Sequence, residues 1–440
     1  MIKIIFKHIE KNFNSLTLAM SFFTVWLWSF PMYGPLLTIS KNPNKLFLYY
    51  LVSHAVGVLI FGILLDYLYS KNKIVYKNEL YLFVLFSIFI GLLTIIFPFL
   101  NKSFRIPVII LMGIMSGPLI VFYLYYLHNV SVENRGNTLA LIFFIAGIIS
   151  IVVLLLPLNN WMFVFTGALL FYSITVSNYN LIRDDKSIKL DISKTSLNYW
   201  ILLILLICLF YIGGGIMYSL SYANIMTAEN INFNFGFLYY TIAVIPLGLL
   251  ADEKGRKNLV NIGISFAGIG FLSMFISDYT NSMALGLIQV GFAAMDIFIF
   301  LTLIDWSELI KKRSFLGLGL FINVIIIFFS SLSFLEKETG NIIKIDYIPL
   351  VGAILMFLLI PLVNLLKDTL VINSDLNKLN NKNKDIDIDN IYDNYKLTPR
   401  EKDVVTLLLN GRNTSQISED LSISYNTLKT HLKHIYKKTK

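Results

Sequence analysis

The segment Gly248-Leu-Leu-Ala-Asp252-Glu-Lys-Gly255-Arg256-Lys257 places five charged residues among ten, between the apolar stretches 235–251 and 259–277. Each of these stretches is about as long as the ~20 residues that an α-helix needs to cross a bilayer. A glycine allows helices to pack closely, an aspartate can cap a neighbouring helix, and basic side chains can form charge pairs at a helix end. The segment therefore predicts a tight, charged loop between two membrane-spanning helices.

The rest of residues 1–367 extends this pattern. The chain is 56% hydrophobic and only 14% charged, which is too apolar for a soluble protein of ordinary composition. Its apolar stretches predict twelve spans, at residues 17–38, 46–67, 80–100, 106–127, 138–158, 160–178, 198–220, 235–251, 259–277, 281–304, 315–335 and 347–366. The expected fold is all-α, a polytopic helical bundle that has the lipid bilayer as a partner.

The basic residues in the short loops set the expected orientation, because Lys and Arg accumulate on the cytoplasmic side. With the N-terminus inside, seventeen lie on the inner side and six on the outer side. The inner set is Lys3, Lys7, Lys11, Lys71, Lys73, Lys77, Arg135, Arg183, Lys186, Lys189, Lys194, Lys254, Arg256, Lys257, Lys311, Lys312 and Arg313; the outer set is Lys41, Lys45, Lys102, Arg105, Lys337 and Lys344. We therefore expect a multi-pass protein of the bacterial plasma membrane with both termini in the cytoplasm.

A second copy of the loop indicates an internal repeat. The sequence Gly62-Ile-Leu-Leu-Asp66 ends the second span as Gly248-Leu-Leu-Ala-Asp252 ends the eighth, which divides the bundle into halves at about 1–180 and 198–367. The segment 248–257 resembles the loop signature of the major facilitator superfamily, G-x-L-A-D-x-x-G-R-K. The resemblance implies a transporter-like fold and assigns motif positions to Gly248, Asp252, Gly255, Arg256 and Lys257. The copy at Gly62 lacks the second glycine and the arginine.

Two ionisable residues lie within predicted spans, where they are costly and therefore become site candidates. Asp296, in the tenth span, is either a ligand counter-ion or proton site, or a carboxyl group satisfied by a hydroxyl or amide of a neighbouring helix. His54, in the second span, is either a ligand group or a packed, hydrogen-bonded histidine. We find no motif for a catalytic, metal or cofactor site, and the single cysteine, Cys208, lies in the seventh span. No enzymatic activity and no cofactor are expected.

The composition changes after the last predicted span. Residues 368–395 are rich in Asn, Asp and Lys, with three lysines against six aspartates, and this predicts a disordered linker. Residues 396–440 then carry nine basic and four acidic residues. Thr398, Pro399 and Glu401 form a helix-start pattern, and Gly411 is expected to end that first helix.

Two further helices are predicted in this C-terminal segment. A short helix from Thr414 to Leu421 precedes a turn, and Ser424 caps a third helix from Tyr425 to about Lys438. In that third helix three apolar residues face the core, and lysines recur every four residues on the opposite side. A helix with one basic face is suited to binding nucleic acid.

This segment resembles the LuxR-type helix-turn-helix family through Leu397-Thr-Pro-Arg-Glu-Lys402, Gly411 and Asn426-Thr-Leu-Lys-Thr-His-Leu-Lys-His-Ile-Tyr-Lys437. The resemblance implies binding of double-stranded DNA. It assigns base contacts to Lys429, Thr430 and Lys433, and phosphate contacts to Thr427, His431 and outer lysines including Lys437. Family members continue into a fourth helix that often forms the dimer. Because residues 396–440 lack it, we expect either a longer chain or a homodimer contact elsewhere.

The two segments together predict a membrane-bound transcriptional regulator. Its membrane domain would sense an unidentified small molecule or a state of the membrane, and its helix-turn-helix would bind promoter DNA. The alternative is a secondary transporter of the major facilitator superfamily that carries a regulatory DNA-binding tail. Transport of a solute by the membrane domain would favour the alternative.

Overall fold

The computed structural model describes residues 14–32, 34–40, 43–70, 76–130, 134–157, 159–178, 197–227, 234–277, 282–335, 347–365, 392, 395–409 and 414–438. Two compact units divide the chain, Met1–Ile372 and Asn373–Lys440. We call them the membrane domain and the headpiece. Gly411 and most of the predicted linker lie outside the described residues. The predicted linker bound of 395 is wrong at its end, because Tyr392 is buried in the core of the headpiece.

Twelve α-helices make up the described part of the membrane domain. They are α1 Ser15–Ser29, α2 Pro43–Ser70, α3 Tyr76–Ile96, α4 Lys102–Tyr126, α5 Arg135–Leu155, α6 Asn160–Leu169, α7 Leu197–Thr227, α8 Asn234–Lys254, α9 Lys257–Ser277, α10 Ser282–Ile310, α11 Arg313–Leu335 and α12 Ile348–Leu365. Each helix falls on one of the twelve predicted stretches, and a 3-10 helix at Leu170–Asn178 continues α6.

Seven of the described helices are long and apolar enough to cross a membrane, and four more are shorter and apolar. The chain is therefore an all-α, multi-pass membrane protein. The apolar lengths fit a hydrocarbon layer about 30 Å thick, and large apolar side chains remain exposed on the outer surface, such as Phe99, Phe329 and Trp161. Lipid would cover these side chains.

Several helix ends differ from the prediction; α7, for example, was expected to end at 220 but continues to Thr227. The first span was expected at 17–38, but α1 ends at Ser29 and a short 3-10 helix, Pro35–Ile39, follows. Pro31 and Pro35 lack the backbone N–H that would continue the helix. The tenth span was expected to end at 304, but α10 continues to Ile310, where Lys311 has a left-handed φ of 55°.

The headpiece contains three described helices, α13 Pro399–Leu409, α14 Thr414–Asp420 and α15 Tyr425–Lys438. They enclose a core of their own, formed by Tyr392, Leu397, Val404, Ile417, Leu428 and Ile435. Val404, Ile417 and Leu428 are fully buried at the centre of that core. The predicted helix order and the apolar face of α15 are both present in the structure.

Candidate functional site

The outer face of α15 is open to solvent. Five of the six predicted DNA-contacting residues are exposed and His431 is half-buried; the exposed ones are Thr427, Lys429, Thr430, Lys433 and Lys437. Leu428 and Ile435 anchor the opposite face of the helix in the core. Lys429, Lys433 and Lys437 therefore lie outside the core and form a basic surface.

Local hydrogen bonds cap the first turns of α13 and α15. The Ser424 hydroxyl accepts a bond from the Thr427 backbone N–H at 3.1 Å and so caps α15. At the start of α13, the Thr398 backbone N–H donates to Glu401 Oε2 at 2.7 Å, and the Glu401 N–H donates to Thr398 Oγ1 at 3.4 Å. This reciprocal pair is the capping box that the sequence predicts.

Lys438 has a structural role that the sequence did not reveal. Its Nζ lies 2.6 Å from Glu401 Oε2 and 3.0 Å from the Lys396 carbonyl oxygen, so the end of α15 is tied to the start of α13. Burial raises the pKa of the Glu401 carboxyl, but bonds from Lys438 and from the Thr398 N–H outweigh that effect, and the pKa lies below its usual value. Lys438 therefore holds two helices of the headpiece together, whereas the lysines of the exposed face make no such contact in the described structure.

In the membrane domain, the two predicted loop copies make the same contact. Asp252 accepts bonds at 2.8 Å from the Gly136 and Asn137 backbone N–H groups at the start of α5. Asp66 accepts bonds at 2.8 Å from the Arg313 and Ser314 N–H groups at the start of α11. Each aspartate therefore caps a helix of the opposite half. We call this side of the bundle the motif end.

Glycines let the helices approach closely at the motif end. A Cβ built on Gly248 would lie 2.6 Å from the Gly136 carbonyl oxygen, and one built on Gly62 would lie 3.0 Å from Gly317 Cα. The contact of α5 with α8 and that of α2 with α11 are therefore backbone-to-backbone. Gly255 has a φ of +82°, which favours glycine, and it forms the turn that precedes α9.

Buried charges add a further tie between the halves. Arg135, at the start of α5, is 1% exposed; its guanidinium lies 2.8 Å from Asp305 on α10 and also pairs with Glu308. Arg256 of the loop pairs with the same Asp305 and donates to the Leu301 carbonyl oxygen at 2.8 Å. Removing one partner of such a buried set leaves an uncompensated charge.

Sequence reasoning did not find Asp305, Glu308 or the buried role of Arg135. The predicted span ended just before Asp305, and Arg135 counted only as a loop charge. The available signal was the i, i+3 spacing of Asp305 and Glu308, which puts two carboxylates on one helix face. Lys257 is half-exposed at the start of α9.

The two ionisable residues predicted within spans have different surroundings. Asp296 accepts hydrogen bonds from the Tyr211 hydroxyl at 2.5 Å and the Tyr240 hydroxyl at 3.0 Å, yet it remains partly accessible. His54 is 4% exposed, and its Nδ1 lies 2.8 Å from Ser116 Oγ. Its ring stacks on Tyr50 at 5.4 Å. The geometry of His54 is that of a packed, hydrogen-bonded side chain.

The membrane domain is similar in fold to solved transporter structures. The human organic anion transporter MFSD10 (TETRAN) matches with a TM-score of 0.56 and 13% identity, over 79% of this chain and 97% of that one. A bacterial homologue of the iron transporter ferroportin, in an outward-facing state with soaked iron, matches with a TM-score of 0.56 and 12% identity, over 80% of this chain and 98% of that one. A further structure of a bacterial homologue of the iron transporter ferroportin in an outward-facing state matches with a TM-score of 0.54 and 12% identity, over 80% of this chain and 97% of that one.

These neighbours establish the fold alone, which is a transporter-like bundle of helices. Residues 395–440 match the bacterial regulatory proteins of the luxR family, and this segment is a LuxR-type helix-turn-helix domain. No curated protein matches the chain in sequence. The molecule therefore combines a transporter-like membrane fold with a DNA-binding domain of a transcription-regulator family.

Proposed function

We propose that this chain is a non-enzymatic, membrane-bound transcriptional regulator of the bacterial plasma membrane. Its headpiece binds promoter DNA from the cytoplasm, and its membrane domain senses a small molecule or a membrane state. The main support is the LuxR-type domain with an exposed basic face on α15, carried by the same chain as the bundle. The excess of Lys and Arg in the loops on one side supports the cytoplasmic placement of both termini.

The proposed mechanism is a shift between two states of the bundle. The ties between the halves at the motif end, through Asp66, Asp252 and the Arg135 cluster, stabilise one state. A ligand that binds the other state better would shift the population. That shift would alter headpiece exposure or the pairing of two copies in a homodimer, and so alter promoter occupancy.

Chromatin immunoprecipitation of the intact protein with sequencing tests the regulatory role. Wild type should enrich a small number of promoter regions, and a Lys429→Ala, Lys433→Ala double variant of equal abundance should lose that enrichment. Arg400→Ala is a matched control, because it removes an exposed positive charge outside α15. Equal recovery of DNA with wild type and the double variant would contradict the proposal.

The alternative function is secondary transport with a regulatory tail. Transport is favoured by the presence of both aspartate caps and of the buried charge pairs at the motif end. Vesicles carrying residues 1–372 would be assayed for uptake or efflux of labelled solutes. Concentrative transport would support this alternative, whereas promoter enrichment without transport would favour the regulator.

A further inference from the structure

An aromatic cluster joins the two halves of the membrane domain. Trp28 of α1 lies 5.3 Å from Phe237 and 5.5 Å from Tyr240, both on α8, and 5.7 Å from Phe143 on α5. Phe143 lies 5.7 Å from Phe300 on α10. These are distances between ring centroids, and they describe one connected cluster of rings, in which Phe143 and Tyr240 are buried and Trp28, Phe237 and Phe300 are partly accessible. We call these five residues the aromatic wall.

One residue of the aromatic wall is hydrogen-bonded to Asp296. Tyr240 belongs to the wall, and its hydroxyl donates to one carboxyl oxygen of Asp296 while Tyr211 donates to the other. The carboxyl group is therefore held in one orientation by two neutral donors. The aromatic surface and the carboxyl group form one connected site.

Asp296 lies on the most buried of the long apolar helices. The apolar stretch of α10 is 72% buried, the largest share among the seven long apolar helices. Met295 and Ile297 are fully buried, yet Asp296 is partly accessible, as are Trp28 and Phe237. Ionisable residues of membrane proteins usually face the bundle interior or a water-filled cavity, and we infer the same of this partly accessible carboxyl group.

The charge balance of this site determines the ligand class. Across the described part of the chain, no Lys, Arg or His side chain forms an ion pair with Asp296; the ion pairs of the bundle join Arg135 and Arg256 to Asp305 and Glu308. Aromatic ring faces attract cations and repel anions. An anion would therefore meet a carboxyl group and negative ring faces, whereas a cation would find a counter-ion and a favourable surface.

We propose that the membrane domain binds an apolar organic monocation, with its positive centre at Asp296 and its body against the aromatic wall. As the identity of the sensed ligand, this inference rests on the proposed function; as a binding site, it stands independently. Trp28 and Phe143 belong to the first half and the other wall residues to the second. A change in the relative position of the halves would therefore change the affinity for the ligand.

Two probes of equal shape and opposite charge test the site. Radiolabelled tetraphenylphosphonium should bind the purified full-length chain in detergent, and tetraphenylborate should not compete for that site. Asp296→Asn should weaken phosphonium binding by about 30-fold or more, because it removes the counter-ion. Trp28→Ala should weaken it by about fivefold through loss of a cation–π contact.

Matched controls separate the site from non-specific effects. Glu253→Gln changes an exposed carboxyl group, and Trp161→Ala removes a tryptophan that is 76% exposed; both should bind as wild type does. Asp296→Glu, which keeps the charge, should retain more affinity than Asp296→Asn. An elution profile like that of wild type would show that each variant is folded.

Three outcomes would overturn the proposal: no saturable phosphonium binding to wild type, equal competition by the borate, or equal affinity of wild type and Asp296→Asn. If Asp296→Asn does not fold, the same decision rests on Trp28→Ala against Trp161→Ala. Phosphonium binding without promoter enrichment would retain the site and reject the regulator. Promoter enrichment without phosphonium binding would reject the site and retain the regulator.

Discussion

At the scale of single residues, the lysines of α15 divide into two roles. Lys429 and Lys433 are exposed, whereas Lys438 bonds to Glu401 across the headpiece. The sequence presents them as one basic run, because charge and spacing are all that it records. Only packing separates a lysine available to DNA from one used to hold two helices together.

Lys429→Ala and Lys433→Ala should each weaken binding of a cognate operator by about 1–3 kcal/mol if their side chains contact base edges. A fragment of residues 373–440, which has its own core, suits a titration by fluorescence anisotropy. Arg400→Ala should cost less, because it removes one exposed charge away from α15. Equal losses on operator and on random DNA would assign the lysines to phosphates.

Glu401 should make the headpiece sensitive to acid. Its folded-state pKa lies below the usual value near 4.5, so the carboxylate stabilises the fold fully above that value. The contribution is lost as the pH falls through the folded-state pKa. Melting temperatures of the same fragment between neutral pH and pH 3 should fall more steeply for wild type than for Glu401→Gln. Parallel curves would contradict this assignment.

At the scale of elements, the two aspartates of the loop copies each cap a helix of the opposite half. The first copy lacks the second glycine and the arginine, yet Asp66 makes the same pair of bonds as Asp252. The cap therefore depends on the aspartate and on a close helix approach, which Gly62 and Gly317 permit. The rest of the motif is not required for this contact.

Asp252→Ala should loosen the contact of α5 with α8, because loss of a helix cap costs about 0.5–2 kcal/mol. Ser307 is fully buried at the motif end, where its hydroxyl lies 2.7 Å from His128 Nε2. In a Cys208→Ser background, Ser307→Cys should react faster with a thiol reagent when Asp252 is replaced. Glu253→Ala is the control, and unchanged reactivity with Asp252→Ala would show that the cap does not hold the halves.

At the scale of the whole molecule, a bundle with a transporter-like fold and a LuxR-type domain share one chain. The buried cluster of Arg135, Asp305 and Glu308 crosses between the halves of the bundle. Regulation through the bundle requires that its two states differ in free energy by an amount that a ligand can overcome. This cluster is the strongest described candidate for setting that difference.

Arg135→Gln should shift the bundle away from the tied state, since breaking a buried pair costs about 3–5 kcal/mol. If the headpiece reports the state of the bundle, a promoter reporter should change severalfold at equal protein abundance. The 373–440 fragment, which lacks the bundle, provides the baseline for DNA binding. A reporter that responds equally with wild type and Arg135→Gln would separate the bundle state from transcription.

The sequence by itself determined the twelve apolar stretches, the loop repeat and the three headpiece helices. Those features depend on residues close in the chain: apolar length, capping residues such as Thr398 and Ser424, and helical spacing. Their functional roles, including the DNA contacts of α15, remain predictions.

Tertiary structure alone decided which distant residues meet. Arg135 and Asp305 are 170 residues apart, and Tyr211 and Asp296 are 85 apart. No local pattern links such pairs, because their contact depends on how whole helices pack. The sequence marked Asp296 as costly within a membrane, and the fold supplied the two tyrosines and the aromatic wall that give that residue a defined chemistry.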